Sequence, residues 1–88
     1  MRFQFGPAKA AANFRKYGVS FAEAEGVFHD PLAVTVEDPD AEGERRWVAV
    51  GLGSAGELLV VVYALRDDEL RLISVRRATR KERKQYES

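Results

Sequence analysis

Residues 44–76 read Glu44-Arg45-Arg46-Trp47-Val48-Ala49-Val50-Gly51-Leu52, Gly53-Ser54-Ala55-Gly56-Glu57, Leu58-Leu59-Val60-Val61-Val62-Tyr63-Ala64-Leu65, Arg66-Asp67-Asp68-Glu69, Leu70-Arg71-Leu72-Ile73-Ser74-Val75-Arg76. Arg46, Val48, Val50 and Leu52 alternate with Arg45, Trp47, Ala49 and Gly51, the period of two that sends successive side chains to opposite faces of a strand. Ser54 to Glu57 is a turn, and Leu58 to Leu65 is apolar almost throughout, as a central strand must be. Arg66 to Glu69 turns the chain again, and Leu70 to Arg76 is the next strand. Strands joined by such short turns pair antiparallel.

Working outward toward the start, Glu37 to Gly43 is an acidic loop punctuated by Pro39 and Gly43, and Leu32 to Val36 is a strand. Asp30-Pro31 breaks a helix that ends near Phe28 and begins at the capping box Ser20-Phe21-Ala22-Glu23. Gly18 stops an earlier helix running to Tyr17, in which Pro7 takes the first position, where its missing N–H costs nothing. Residues 2–5 suit a short first strand, and Thr79-Arg80-Lys81-Glu82 is a second capping box that starts a C-terminal helix. The order β-α-α-β-β-β-β-α predicts an α+β fold: a compact single domain over residues 1–88, an antiparallel sheet with helices packed on one face, and the other face free to bind.

A chain of 88 residues buries about two-thirds of its unfolded surface and has little room for a deep cavity. There is no cysteine, which removes disulfides and thiolate chemistry, and the one histidine, His29, cannot make a metal site alone. No apolar run is long enough to span a membrane or serve as a signal peptide, so a soluble, cytoplasmic protein is expected.

Lys and Arg number 14, as do Asp and Glu, but the charges are segregated. Residues 1–22 hold Arg2, Lys9, Arg15 and Lys16 with no acid, and residues 23–44 hold eight acids with no Lys or Arg. Residues 76–84 carry six Lys/Arg (Arg76, Arg77, Arg80, Lys81, Arg83, Lys84) against Glu82 alone, 6 − 1 = +5. Clustered guanidinium groups grip phosphate bidentately and keep their charge, which points to a polyanion such as RNA. Equally, such blocks keep a small domain soluble.

Paired-carboxylate, serine-triad and glycine-loop chemistries lack their residues: Gly51-Leu52-Gly53 precedes no helix, and His29 stands beside a turn. A cationic site remains. Cleaving RNA through its own 2′-hydroxyl needs a proton acceptor, cations for the phosphorane and an acid for the leaving oxygen, roles that crowded Lys, Tyr and Arg can share. Lys9, Lys16, Arg45, Tyr63, Arg66, Arg76 and Arg77 are the candidates, with Arg45 beside Trp47 as a base-stacking pair. Trp47 and Tyr63 fit core positions as well, Lys9 and Lys16 also fit a solvated helix face, and Arg76 and Arg77 point to opposite faces of their strand.

Phe3-x-Phe5-x-Pro7-x-Lys9-Ala10, Asn13-x-x-Lys16-x-Gly18-Val19-Ser20-Phe21-x-x-Ala24, Val27-Phe28-x-Asp30-Pro31, Glu44-x-Arg46 with Gly51, and Arg71-x-Ile73-Ser74-x-Arg76-x-Ala78 with Glu82 and Tyr86 together resemble the BrnT family of toxins over nearly the whole chain. The resemblance implies a ribonuclease toxin of a type II toxin-antitoxin pair with a RelE-like fold, acting on RNA without a metal or other cofactor. It also implies a BrnA-like ribbon-helix-helix antitoxin that joins the toxin in a 2:2 heterotetramer and binds operator DNA. The family's polar positions fall on Lys9, Asn13, Lys16, Arg46, Ser74, Arg76, Glu82 and Tyr86. Arg46 thereby displaces Arg45 as the strand residue of choice.

Two departures stand out: Phe5-Gly6-Pro7 where the family reads Trp-Asp-Pro, and Lys16-Tyr17-Gly18 where it reads Lys-His-Gly. The catalytic set expected is therefore Lys9, Lys16, Tyr17, Arg46 and Arg76, with Arg45, Tyr63, Arg66, Arg77 and Arg80 on the RNA phosphates. The leading expectation is a metal-independent endoribonuclease that inhibits translation and growth. The alternative, favoured by Gly6 and Tyr17, is a catalytically weakened relative that binds antitoxin and serves operon autoregulation.

Overall fold

The computed structural model describes residues 2–41 and 43–88, so Glu42 of the acidic loop lies outside the described residues. In chain order the elements are β1 (Arg2–Gln4), α1 (Pro7–Tyr17), a 3₁₀ turn (Phe21–Glu23) leading into α2 (Ala24–His29), β2 (Val34–Glu37), β3 (Arg46–Leu52), β4 (Leu58–Arg66), β5 (Glu69–Arg77) and α3 (Arg80–Glu87). The expected α+β order is the observed one.

Local chemistry sets the boundaries. Gly18 takes the left-handed conformation (φ 71°) after α1, and its N–H donates to the Phe14 carbonyl at 2.8 Å. Both capping boxes form: the Ser20 hydroxyl accepts from the Ala22 N–H while Glu23 accepts from the Ser20 N–H, and Thr79 and Glu82 exchange bonds of 3.2 and 2.8 Å. Beneath α2 the turn between β3 and β4 comes very close. A Cβ on Gly26 would stand 2.3 Å from the Ser54 nitrogen, so only glycine fits there.

The sheet order is β1-β5-β4-β3-β2. β2 to β5 pair antiparallel as expected, and β1 joins the far edge parallel to β5 through Arg2↔Glu69, Phe3↔Leu70 and Gln4↔Arg71. β1 has no short turn to its partner, which is why turn lengths carried no information about its direction.

A bulge interrupts the β4–β5 ladder: Val62 pairs with Ser74 but Tyr63 pairs with Leu72, leaving Ile73 over. Its consequence is a change of face. Arg71 and Arg76 are an odd number of residues apart and would point oppositely on a regular strand. With one residue extruded they stand opposite Ala64 and Val60, and so project from the same side of the sheet.

The core lies on the other side, where Val19, Phe21, Ala24 and Val27 pack on Ala49, Leu59, Val61, Tyr63, Leu70, Leu72 and Val75. α1 and α2 cover that face, in line with the expectation that helices gather on one side. α3 refines it. Glu82 pairs with Arg76 from the opposite face, and Arg83 and Tyr86 border a hollow with Leu52 and Leu58 of that face, so α3 closes one end of the side left open by the other helices. The Tyr86 hydroxyl donates to Asp30 at 2.6 Å, and the same carboxylate oxygen accepts the Leu52 N–H at 2.8 Å; these bonds, Tyr86 first, hold the Asp30 carboxyl below its usual range.

Candidate active site

α1 runs beside the outer edge of β5 beyond the reach of β1. There Asn13, the one buried polar residue among those described, takes the part of a missing strand: its amide donates to the carbonyls of Val75 (2.9 Å) and Val19 (3.1 Å), and its oxygen accepts the Val75 N–H (3.1 Å). This clamp fixes the distance between the polar side of α1 and the open face of β5. Between them lies a cleft of about 200 Å³ lined by Lys9, Ala12, Asn13, Lys16, Tyr17, Ile73 and Ser74.

Two lysines seven residues apart on one helix face therefore look across at Ser74. Among the described residues no carboxylate lies within salt-bridge distance of either lysine; the Lys16 ammonium instead sits 5.2 Å from the centre of the Tyr17 ring. Arg76 stands next along the strand, within electrostatic reach of Tyr17. Glu82 grips it with two parallel bonds of 2.8 Å, which raise the guanidinium pKa and pull the Glu82 carboxyl down to about 2.

The same face carries a second row of cations. Arg46 on β3 and Arg71 on β5 flank Ala64 of β4. Glu44 holds Arg71 through both carboxylate oxygens and lies 3.9 Å from Arg66. The buried Nε of Arg46 has no hydrogen-bond partner among the described residues, an unused donor of the kind a bound anion satisfies. Lys9, Lys16, Tyr17, Arg46, Arg66 and Arg76 are thus gathered along one side of the molecule.

Four expected residues stand elsewhere. Tyr63 is in the core, edge-on to Phe28 at 5.0 Å, and burial pushes its phenol up. Arg45 lies 5.4 Å from the Trp47 ring and is tied to Glu37 at 2.8 and 3.1 Å. Arg77 points away from Arg76, bonds Glu57 at 2.5 Å and donates to the Tyr17 carbonyl at 3.3 Å, so it anchors the end of α1. Arg80 is exposed at the start of α3 and is not among the residues lining the cleft.

Arg71 is not among the expected site residues, and strict alternation would set it opposite Arg76. Only the bulge corrects that, and no composition signal marks Ile73 as the extra residue. The holding roles of Glu44 and Asn13 likewise depend on partners 27 and 62 residues away.

Among described residues there is no helix long and apolar enough to cross a membrane, and no group of three or more His, Cys, Asp or Glu placed to hold a metal. The family model described as "Ribonuclease toxin, BrnT, of type II toxin-antitoxin system" matches residues 5–82. Among solved structures, the Brucella abortus ribonuclease toxin BrnT superimposes with a TM-score of 0.63 at 21% identity, over 91% of this chain and 96% of that one, a likeness of fold. No curated protein matches. With nearly the whole chain inside the family's bounds and its fold reproduced, the protein belongs to the BrnT ribonuclease toxins of type II toxin-antitoxin systems.

Proposed function

We propose that this protein is a metal-independent endoribonuclease that cuts RNA in the cleft between α1 and β5. The observation that carries the reading is the Asn13 clamp, which sets Lys9, Lys16 and Tyr17 against Ser74 and, beside it, Arg76. A phosphodiester entering the cleft meets cations from two elements held at a fixed separation. The substrate 2′-oxygen attacks phosphorus and gives up its proton, the 5′-oxygen leaves and takes one, and Lys16 and Tyr17 divide these transfers. Lys9, Arg46 and Arg76 stabilise the charge that builds on the phosphorane.

The partner is a ribbon-helix-helix antitoxin of BrnA type, joined as two toxins and two antitoxins, and unopposed toxin halts translation and growth in the cytoplasm. The test is purified chain on RNA with excess chelator, beside a Lys9→Ala, Arg76→Ala double variant. Cleavage to cyclic phosphate and 5′-hydroxyl ends is expected, with a loss of at least about a hundredfold in the double variant. Cleavage only after metal is restored would overturn the mechanism.

One observation favours the second reading, an antitoxin-binding relative that no longer cuts. Arg76 already has a carboxylate partner in Glu82, so substrate phosphate must share it. Normal growth on expression of a folded chain, with intact RNA, would select that reading.

A further inference from the structure

Next to the cleft is a larger hollow, about 570 Å³, lined by Gln4, Phe5, Gly6, Lys9, Arg71 and Leu72. Its volume is within the range of small-molecule sites. Lys9 lines both spaces, so they meet at one ammonium group.

Resting on the ribonuclease reading, we propose that this hollow is a nucleobase subsite, which receives the base adjoining the cleaved phosphate and sets the sequence preference of cutting. Three kinds of group converge there. Phe5 is 44% exposed and is braced by perpendicular packing on Phe21 at 5.3 Å, so the ring is held in place while much of its surface stays open for stacking. Gln4 and Arg71 are direct partners in the parallel β1–β5 ladder and project side by side. The Gln4 amide offers both a donor and an acceptor to a base edge, and Arg71, steadied by Glu44, adds a planar cation that stacks or donates.

Gly6 also lines the hollow. A Cβ there would meet nothing within 4 Å and its φ of −81° suits any residue, so a side chain at this position projects into open space. Backbone thus borders the opening, and the wall groups are an aromatic, an amide and two cations. That set matches a base with its flanking phosphate better than it matches an apolar ligand.

The test uses short ribo-oligonucleotides that differ only at the bases flanking one phosphodiester. Phe5→Ala is expected to raise KM about tenfold, more than it lowers kcat, and to flatten the preference among bases. Phe5→Trp restores both, whereas Phe14→Ala, which removes another exposed phenylalanine that does not line the hollow, keeps the parent preference. Gly6→Leu adds a bulky side chain at a position that lines the hollow and is expected to repeat the Phe5→Ala effect, which keeps the test open if Phe5→Ala unfolds.

Unchanged KM and unchanged base preference in Phe5→Ala and Gly6→Leu would overturn the subsite. If the parent chain cuts nothing, a deoxy-substituted oligonucleotide carrying fluorescent aminopurine separates the two readings. Quenching by the parent and not by Phe5→Ala keeps the subsite while the ribonuclease reading fails; equal fluorescence with both sinks the subsite.

Discussion

The side-chain amide of Asn13 pairs with both the N–H and the carbonyl of Val75, at 3.1 and 2.9 Å, across 62 residues of sequence. One side chain thereby ends the sheet where β1 stops and fastens α1 to it. Replacing it with alanine leaves the Val75 groups and the Val19 carbonyl without their side-chain partner at a largely buried edge of the sheet. Asn13→Ala is expected to lose about 2–3 kcal/mol in urea unfolding, and RNA cleavage at temperatures where the chain is still folded should fall as well. A loss within about 0.5 kcal/mol would mean that water reaches this edge.

Glu82 has its pKa lowered from 4.5 to about 2 by Arg76 and the Thr79 cap. A carboxyl depressed in the folded state contributes stability above its unfolded pKa and loses it as pH falls. The contribution, about 2 kcal/mol once solvent screening of the part-exposed pair is allowed for, should disappear between roughly pH 4.5 and 2. Glu82→Gln should flatten that limb of the stability profile and lower stability near neutral pH. An acid limb identical to the parent's would place the titration on other carboxylates.

Tyr63 has 8% of its surface exposed, on the helix-covered side of β4. Removing its hydroxyl takes away a polar group near Thr35 and nothing in the cleft. Tyr63→Phe should cut RNA at the parent rate and lose about 1 kcal/mol of stability. A hundredfold fall in kcat with the fold intact would put this phenol back among the reacting groups.

RNA affinity should fall steeply with salt, and the cations of the open face should divide that dependence. Lys9→Ala, Lys16→Ala or Arg46→Ala should each reduce the slope of log affinity against log salt by about 0.7 on single-stranded RNA. Arg45→Ala, whose guanidinium is committed to Glu37, should leave the slope alone. Equal slopes in all four variants would mean that RNA binds another surface.

Secondary structure was legible in residues 44–76 because its signals are local: the alternation around Trp47, the apolar run from Leu58 and the turn at Arg66 to Glu69 each act over a few residues. Gly18, Ser20 and Thr79 marked helix ends for the same reason. A supply of cations, Lys9, Lys16 and Arg76 among them, was legible from residue type, and the order of the motifs led to the family.

The site's composition was less so. Which carboxylate each of Arg77, Arg45 and Arg76 finds was not legible, because Glu57, Glu37 and Glu82 arrive from distant parts of the chain. By residue type Tyr63 fits the core or the site equally, and only the tertiary structure sets it edge-on to Phe28.

The sequence alone determined the elements, their order and the supply of cations, since helix caps, strand period and charge are properties of neighbouring residues. Tertiary structure alone decided that β1 runs parallel to β5, that the bulge at Ile73 turns Arg71 and Arg76 to one face, and that Asn13 clamps α1 to the sheet edge. These depend on pairing energies between distant segments, which become definite only when the core closes and each polar group must find its partner out of water.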